Sequence, residues 1–123
     1  MIATTIEQGK ELLSLGIDKD TADMAWTYYD KQYNLSVYGV QDELNPEHPD
    51  MPAWSLEGLL KAMSFPMVYQ SEGKTPEHFR KWKCNQLFEY NHLVIESGFF
   101  DTPIEAAIDC IKEVNNKLKQ IEL

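Results

Sequence analysis

Residues 78–100 read HFRKWKCNQLFEYNHLVIESGFF, and whether they form strands or a helix decides the class of the whole chain. Taken as strands, they make a hairpin that turns near Tyr90-Asn91-His92. Taken from Thr75-Pro76-Glu77, a good helix start, residues 76–90 place Phe79, Trp82, Gln86 and Tyr90 near helical spacing. The strand reading is preferred, because the apolar run LVIESGFF needs a partner to pair with. MVYQ (67–70) reads as a further short strand and SEGKTPE (71–77) as a loop, so residues 67–98 hold two or three strands, or a helix in the rival reading.

Just upstream, PAWSLEGLLKAMS (52–64) sets a tryptophan directly before a helix start. With Ser55 as N-cap, Trp54 and Leu59 become the two ends of a hydrophobic staple, which fixes the angle at which the chain enters the helix. The functional alternative is that Trp54 is an exposed platform for a ligand. Leu56, Leu59, Leu60 and Met63 continue the apolar stripe, and Ser64-Phe65-Pro66 ends it.

Two more helices carry their own punctuation. In TIEQGKELLSLG (5–16), Thr5 and Gln8 match a capping box and Gly16 is a C-terminal stop, with Leu12, Leu13 and Leu15 as anchors. In DTPIEAAIDCIKEV (101–114), Thr102 is the N-cap, Pro103 the first helical residue and Glu105 the capping-box partner. Ile104, Ala107, Ile108, Ile111, Val114 and Leu118 share one stripe, so a helix is expected from 103 to about 119. Between the first two helices, MAWTYYDKQYNLSVYGV (24–40) is a hairpin signature broken at Asp30-Lys31-Gln32. Met24, Trp26 and Tyr28 share one face of its first strand, and Tyr33, Leu35, Val37 and Gly39 one face of its second. The proline-rich, acidic stretch QDELNPEHPDMP (41–52) reads as a loop.

The 123 residues suit one domain, 1–123, with a single core expected at Leu12, Leu15, Trp26, Tyr28, Leu35, Val37, Leu56, Leu60, Val94, Ala107, Ile108 and Ile111. The fold class is α+β: a small antiparallel sheet covered on one face by two to three helices, in the order α-β-β-α-β-β-β-α. The 20 acidic against 11 basic residues leave a net charge of −9, which disfavours a phosphate backbone as partner. The one basic island, Arg80, Lys81, Trp82 and Lys83, is split by strand alternation between two faces. Glu7 and Lys10 interrupt the N-terminal apolar run, no stretch reaches membrane-spanning length, and Cys84 and Cys110 lie in no metal or redox spacing. A cytoplasmic chain with reduced thiols and no membrane partner is expected.

No catalytic constellation emerges. His48, His78 and His92 show no zinc spacing, and no GxSxG or glycine-rich phosphate loop is present. Asp42, Glu43, Glu47, His48 and Asp50 offer oxygen enough for a hard cation, yet the loop lacks the glycine and alternate spacing of a calcium loop. No catalytic residue, metal ligand or cofactor is therefore assigned. The candidate interaction surface is Trp54 with Asp42, Glu43, Glu47, His48 and Asp50.

Thr21-Ala22-Asp23-Met24, Trp54-Ser55-Leu56 and Pro103-Ile104-Glu105-Ala106-Ala107 together give the chain a resemblance. It resembles a family of small uncharacterised proteins from gut bacteria and their phages and mobile elements, over nearly its whole length except residues 67–98. The resemblance implies a fold and a genetic setting without a reaction. The leading expectation is a non-enzymatic accessory or interaction protein of phage or mobile-element type, with a protein partner or self-association. Two alternatives accompany it: an acidic mimic that inhibits a nucleic-acid-binding protein, and a small metal-dependent hydrolase built on the acidic loop with His48 or His92.

Overall fold

The computed structural model describes residues 2–40, 47–72, 79–88 and 93–121. Its elements run α1 (Ile6–Ser14), β1 (Met24–Tyr29), β2 (Gln32–Ser36), β3 (Met51–Ala53), α2 (Leu56–Lys61), β4 (Pro66–Glu72), β5 (Phe79–Phe88), β6 (Leu93–Glu96) and α3 (Pro103–Ile121). The class is α+β, with the strands divided between two three-stranded antiparallel sheets, β2-β1-β3 and β4-β5-β6. The chain correspondingly forms two compact units, Met1–Leu59 and Leu60–Leu123.

In the first unit α1 is specified at both ends. Thr5 caps it through the Gln8 amide while the Gln8 side chain returns to the Thr5 amide, which completes the capping box. At the other end Gly16 takes a φ of 90°, and the amides of Gly16 and Ile17 bond back to the carbonyls of Leu13 and Leu12. That Schellman closure needs the left-handed conformation glycine adopts without strain. The β1–β2 hairpin turns through Asp30 and Lys31, both at positive φ, with Tyr29 paired to Gln32 behind them.

The register places Trp26 opposite Leu35 and Tyr28 opposite Tyr33, on the face that also carries Met24 and Ala53. Met24, Ala53 and Ala3 form a buried cluster against which Trp26 and Leu35 pack. Val37 departs from the expected core: β2 stops at Ser36, and Val37 is 72% exposed. The acidic loop is also shorter than expected, because Met51 and Pro52 begin β3, paired with Trp26 and Ala25. A proline fits there, since β3 is an edge strand and one side of its backbone needs no partner.

In the second unit residues 79–88 are a strand throughout, which excludes the helix alternative over that span, while the expected turn at 90–92 lies outside the described residues. β5 is central, with β4 and β6 antiparallel on either side. α3 packs on one face of this sheet, where Cys84, Gln86 and Ile95 point inward and Ile104, Ala106, Ala107, Ile108, Cys110 and Ile111 are buried. The buried arc of α3 is wider than the expected stripe, and its far end leaves Leu118 exposed. Val94, expected in the core, is 49% exposed, because its pairing with Leu87 puts it on the face opposite Ile95.

α1 lies close against β3. A Cβ built on Gly9 would stand 2.6 Å from the Pro52 carbonyl oxygen, a backbone atom that cannot move aside alone. Gly9→Ala should therefore cost about 1–3 kcal/mol despite alanine's better helix propensity, read as a lower midpoint in urea denaturation followed by tryptophan fluorescence. An unchanged or higher midpoint would mean that α1 does not sit this tightly on β3.

Candidate functional site

Trp54 sits at the join between β3 and α2, and the sequence leaves open whether it faces solvent. Its exposure is 0%, so it offers nothing to a partner and leaves the candidate interaction surface. Leu59, the other end of the proposed staple, is equally buried. The Trp54 indole N–H donates to Thr21 Oγ1 at 3.0 Å, its amide donates to Thr4 Oγ1 at 3.0 Å, and its carbonyl accepts from the Thr4 amide at 2.9 Å. Thr4 is itself fully buried, and its carbonyl accepts the Trp26 indole N–H at 3.0 Å. Every polar group of the tryptophan is thus paired inside the fold, as a buried indole requires.

Ser55 next to it is the N-cap, its hydroxyl oxygen accepting from the Gly58 amide at 3.1 Å. A carboxylate from a distant part of the chain completes the cap. Asp23 accepts the Ser55 amide at 2.8 Å and also the Ser55 hydroxyl. In an ordinary capping box this carboxylate would belong to the third helical residue, which here is Gly58. A Cβ on Gly58 would come within 2.5 Å of Asp23 Oδ1, so the glycine makes room for the visiting aspartate. Thr21-Ala22-Asp23-Met24 and Trp54-Ser55-Leu56, the first two resemblance motifs, are therefore two halves of one contact.

Of the acidic residues, Asp42 and Glu43 lie outside the described residues. Glu47 is exposed, while His48 and Asp50 are half-buried. His48 stacks on Tyr28 with ring centroids 3.8 Å apart, Tyr28 meets Tyr33 edge-on at 5.3 Å, and the Tyr33 hydroxyl donates to the Pro49 carbonyl at 3.1 Å. Residues 48–49 are in this way tied down on the hairpin. Among the described residues no group of three or more His, Cys, Asp or Glu side chains is placed to hold a metal ion. No helix among them is long and apolar enough to cross a membrane.

The basic island is engaged internally. Lys81 pairs with Asp101, and Lys83 pairs with Glu96 at 3.0 Å while lying 5.0 Å over the Phe99 ring. Arg80 occupies the irregularity where β4 and β5 change register, with a φ of 57° and its carbonyl accepting from the Gln70 side chain.

The feature that the sequence reading missed is the outward face of the second sheet. Met67 of β4, Leu87 of β5 and Val94 of β6 are 56%, 37% and 49% exposed. The pairing of Met67 with Asn85, two residues from Leu87, and of Leu87 with Val94 puts all three on one face, while Phe65 stands exposed just before β4. α3 covers the opposite face. Alternation along each strand held the signal: with Cys84 and Gln86 facing the core, Leu87 cannot, and neither can Val94 once Ile95 does.

Both thiols lie on the covered face, free and buried. Cys84 is drawn below its ordinary pKa by a hydrogen bond from Cys110, against the opposing effect of burial. Cys110 is pushed far above the ordinary range by that same bond, by burial, and by the charges of Cys84, Asp109 and Glu113.

No family model matches the chain and no solved structure does. It is similar to the CRISPR-associated nuclease/helicase Cas3 of Streptococcus thermophilus, with 38% identity over 72 residues, a match that covers 55% of this chain and 8% of that protein. The chain thus matches only a small part of the curated relative's length.

The Asp23 cap makes a specific prediction about Gly58. In the wild-type chain Gly58→Ala should destabilise, because the new methyl displaces the carboxylate. In an Asp23→Ala background, itself weaker by about 1–2 kcal/mol, the same change should stabilise by about 0.5–1 kcal/mol through helix propensity. Denaturation midpoints of the four proteins test this, and equal effects in both backgrounds would refute it.

Proposed function

We propose that the protein is a non-enzymatic interaction module that docks onto a protein partner through the outward face of its second sheet. The observation that carries this reading is the exposed apolar cluster of Met67, Leu87 and Val94 on a face that, among the described residues, no helix of its own unit covers. Apolar residues gathered on one exposed face favour burial against another protein surface. The partner's complementary surface is accordingly apolar. Nucleic acid is the poorer fit, since the net charge is −9 and Lys81 and Lys83 already hold carboxylates.

The setting we propose is that of a phage or mobile element and its bacterial host, within the family of small gut-bacterial proteins that the motifs resemble. The similarity to part of a CRISPR-associated protein supports such a setting. The net charge of −9 favours a second reading, in which an acidic surface occupies a nucleic-acid-binding protein.

Capture from lysate with wild-type protein and with a Met67→Lys/Val94→Lys variant, each at low and high salt, separates these readings. The apolar docking reading expects a partner retained at high salt and lost with the variant, whose circular dichroism and melting stay close to wild type because both positions face outward. A partner kept by the variant but released by salt would transfer the assignment to the acidic surface.

A further inference from the structure

The chain's two cysteines converge on one place in the second unit, although β6 and the first part of α3 lie between them in the sequence. Cys84 lies on the inward face of β5 and Cys110 on the face of α3 that packs against it, and neither has any exposure. The Cys84 amide donates to Ser97 Oγ at 2.9 Å and its carbonyl accepts from the Ser97 amide at 2.8 Å, so its backbone is held on both sides of the residue. The Cys110 thiol approaches the Ile95 carbonyl at 3.6 Å. Both residues thus address the same short stretch, 95–97, from the two facing elements.

The helix surface around Cys110 permits a close approach. Ala106 and Ala107, one turn before it, are fully buried and present only methyl groups to the sheet. With small side chains at the contact, α3 can lie near enough to β5 for the Cα separation of about 4.4–6.8 Å that a disulfide requires. Two buried free thiols on facing elements, both beside residues 95–97, are an arrangement that one covalent bond can join.

We propose that Cys84 and Cys110 form a convertible dithiol, which closes to a disulfide linking β5 to α3 when the protein meets a small-molecule disulfide such as oxidised glutathione. The Cys84 thiolate attacks one sulfur of the reagent, forms a mixed disulfide and releases one glutathione thiolate, which takes up a proton. The Cys110 sulfur, giving up its own proton, then attacks Cys84 and releases the second glutathione. Overall, two electrons pass from the protein sulfurs to the reagent, one S–S bond forms as another breaks, and two glutathione thiols leave. Because both sulfurs are enclosed, exchange proceeds through transient openings of α3 from the sheet. Its rate therefore follows local stability as well as reagent concentration.

The test uses the full reduced chain incubated with oxidised glutathione, in buffer and in mild denaturant that increases opening. It is followed by alkylation under denaturing conditions, mass spectrometry, and proteolysis without reduction. The expected product is a monomer lighter by two hydrogens, without alkyl groups, that yields one linked peptide pair containing Cys84 and Cys110. It should melt at a higher temperature than the reduced chain and return to the starting point with dithiothreitol. Overturning results are two alkylated thiols per chain in mild denaturant, a stable glutathione adduct on the wild type, or a disulfide-linked dimer. A Cys110→Ala variant, which leaves Cys84 alone, should instead accumulate the adduct, and an internal loss of two hydrogens in that variant would also sink the proposal.

Discussion

The first unit depends on satisfying the polar groups of a tryptophan buried where a strand becomes a helix. An indole placed there gains a large apolar contact only if its N–H and the flanking backbone find partners. Thr21 supplies the acceptor for the ring, and Thr4 bonds to the Trp54 amide and carbonyl. Asp23 supplies the carboxylate that closes the α2 cap through Ser55. These partners come from separate parts of residues 2–59, so Trp54 and Ser55 together gather the N-terminal segment, the turn before β1 and the start of α2. The consequences extend to Gly58 and Gly9, whose missing side chains leave space for Asp23 and for the Pro52 carbonyl. The Trp26 indole repeats the logic on a smaller scale, through the Thr4 carbonyl.

A different economy governs the second unit. One helix covers one face of a three-stranded sheet, and the buried side chains between them are small or medium: cysteine, alanine, isoleucine and one glutamine, Gln86. The outward face is divided along its length. Toward one end Lys83 and Glu96 pair across neighbouring strands, and toward the other Met67, Leu87 and Val94 stand apolar and exposed. The charged end is satisfied within the sheet, its Lys83 side chain only 19% exposed, whereas the apolar end has an unmet preference for burial. That asymmetry is the ground for proposing a docking role for the second sheet.

Local chemistry was legible in the sequence wherever it is self-contained. Thr5 with Gln8, Ser55, Thr102 with Glu105, and Gly16 could all be assigned from spacing, since a cap involves only a few neighbouring residues. Strand pairing was legible as periodicity but not in its limits. Val37 looks like a continuation of β2 until the strand ends one residue earlier, and Val94 looks like core until the Leu87 pairing fixes which neighbour faces α3. β3 was hidden because Pro52 argues against a strand unless the strand is known to lie at an edge. The acidic stretch drew attention by composition, yet its described part is tied down by the His48–Tyr28 stack and the Tyr33 hydroxyl. Neither the Asp23–Ser55 contact nor the exposed sheet face could be read without knowing which distant residues meet, because each exists only after the chain has paired.

The most direct test of the Trp54 anchor is native-state hydrogen exchange at the amides of Thr4, Trp54 and Ser55. If these bonds hold the first unit together, all three amides should exchange only through cooperative unfolding of that unit, with opening free energies equal to those of the β1 core amides. Faster exchange of the three, by local opening that leaves β1 protected, would contradict the account and reduce the Trp54 contacts to a peripheral feature of an independently stable hairpin.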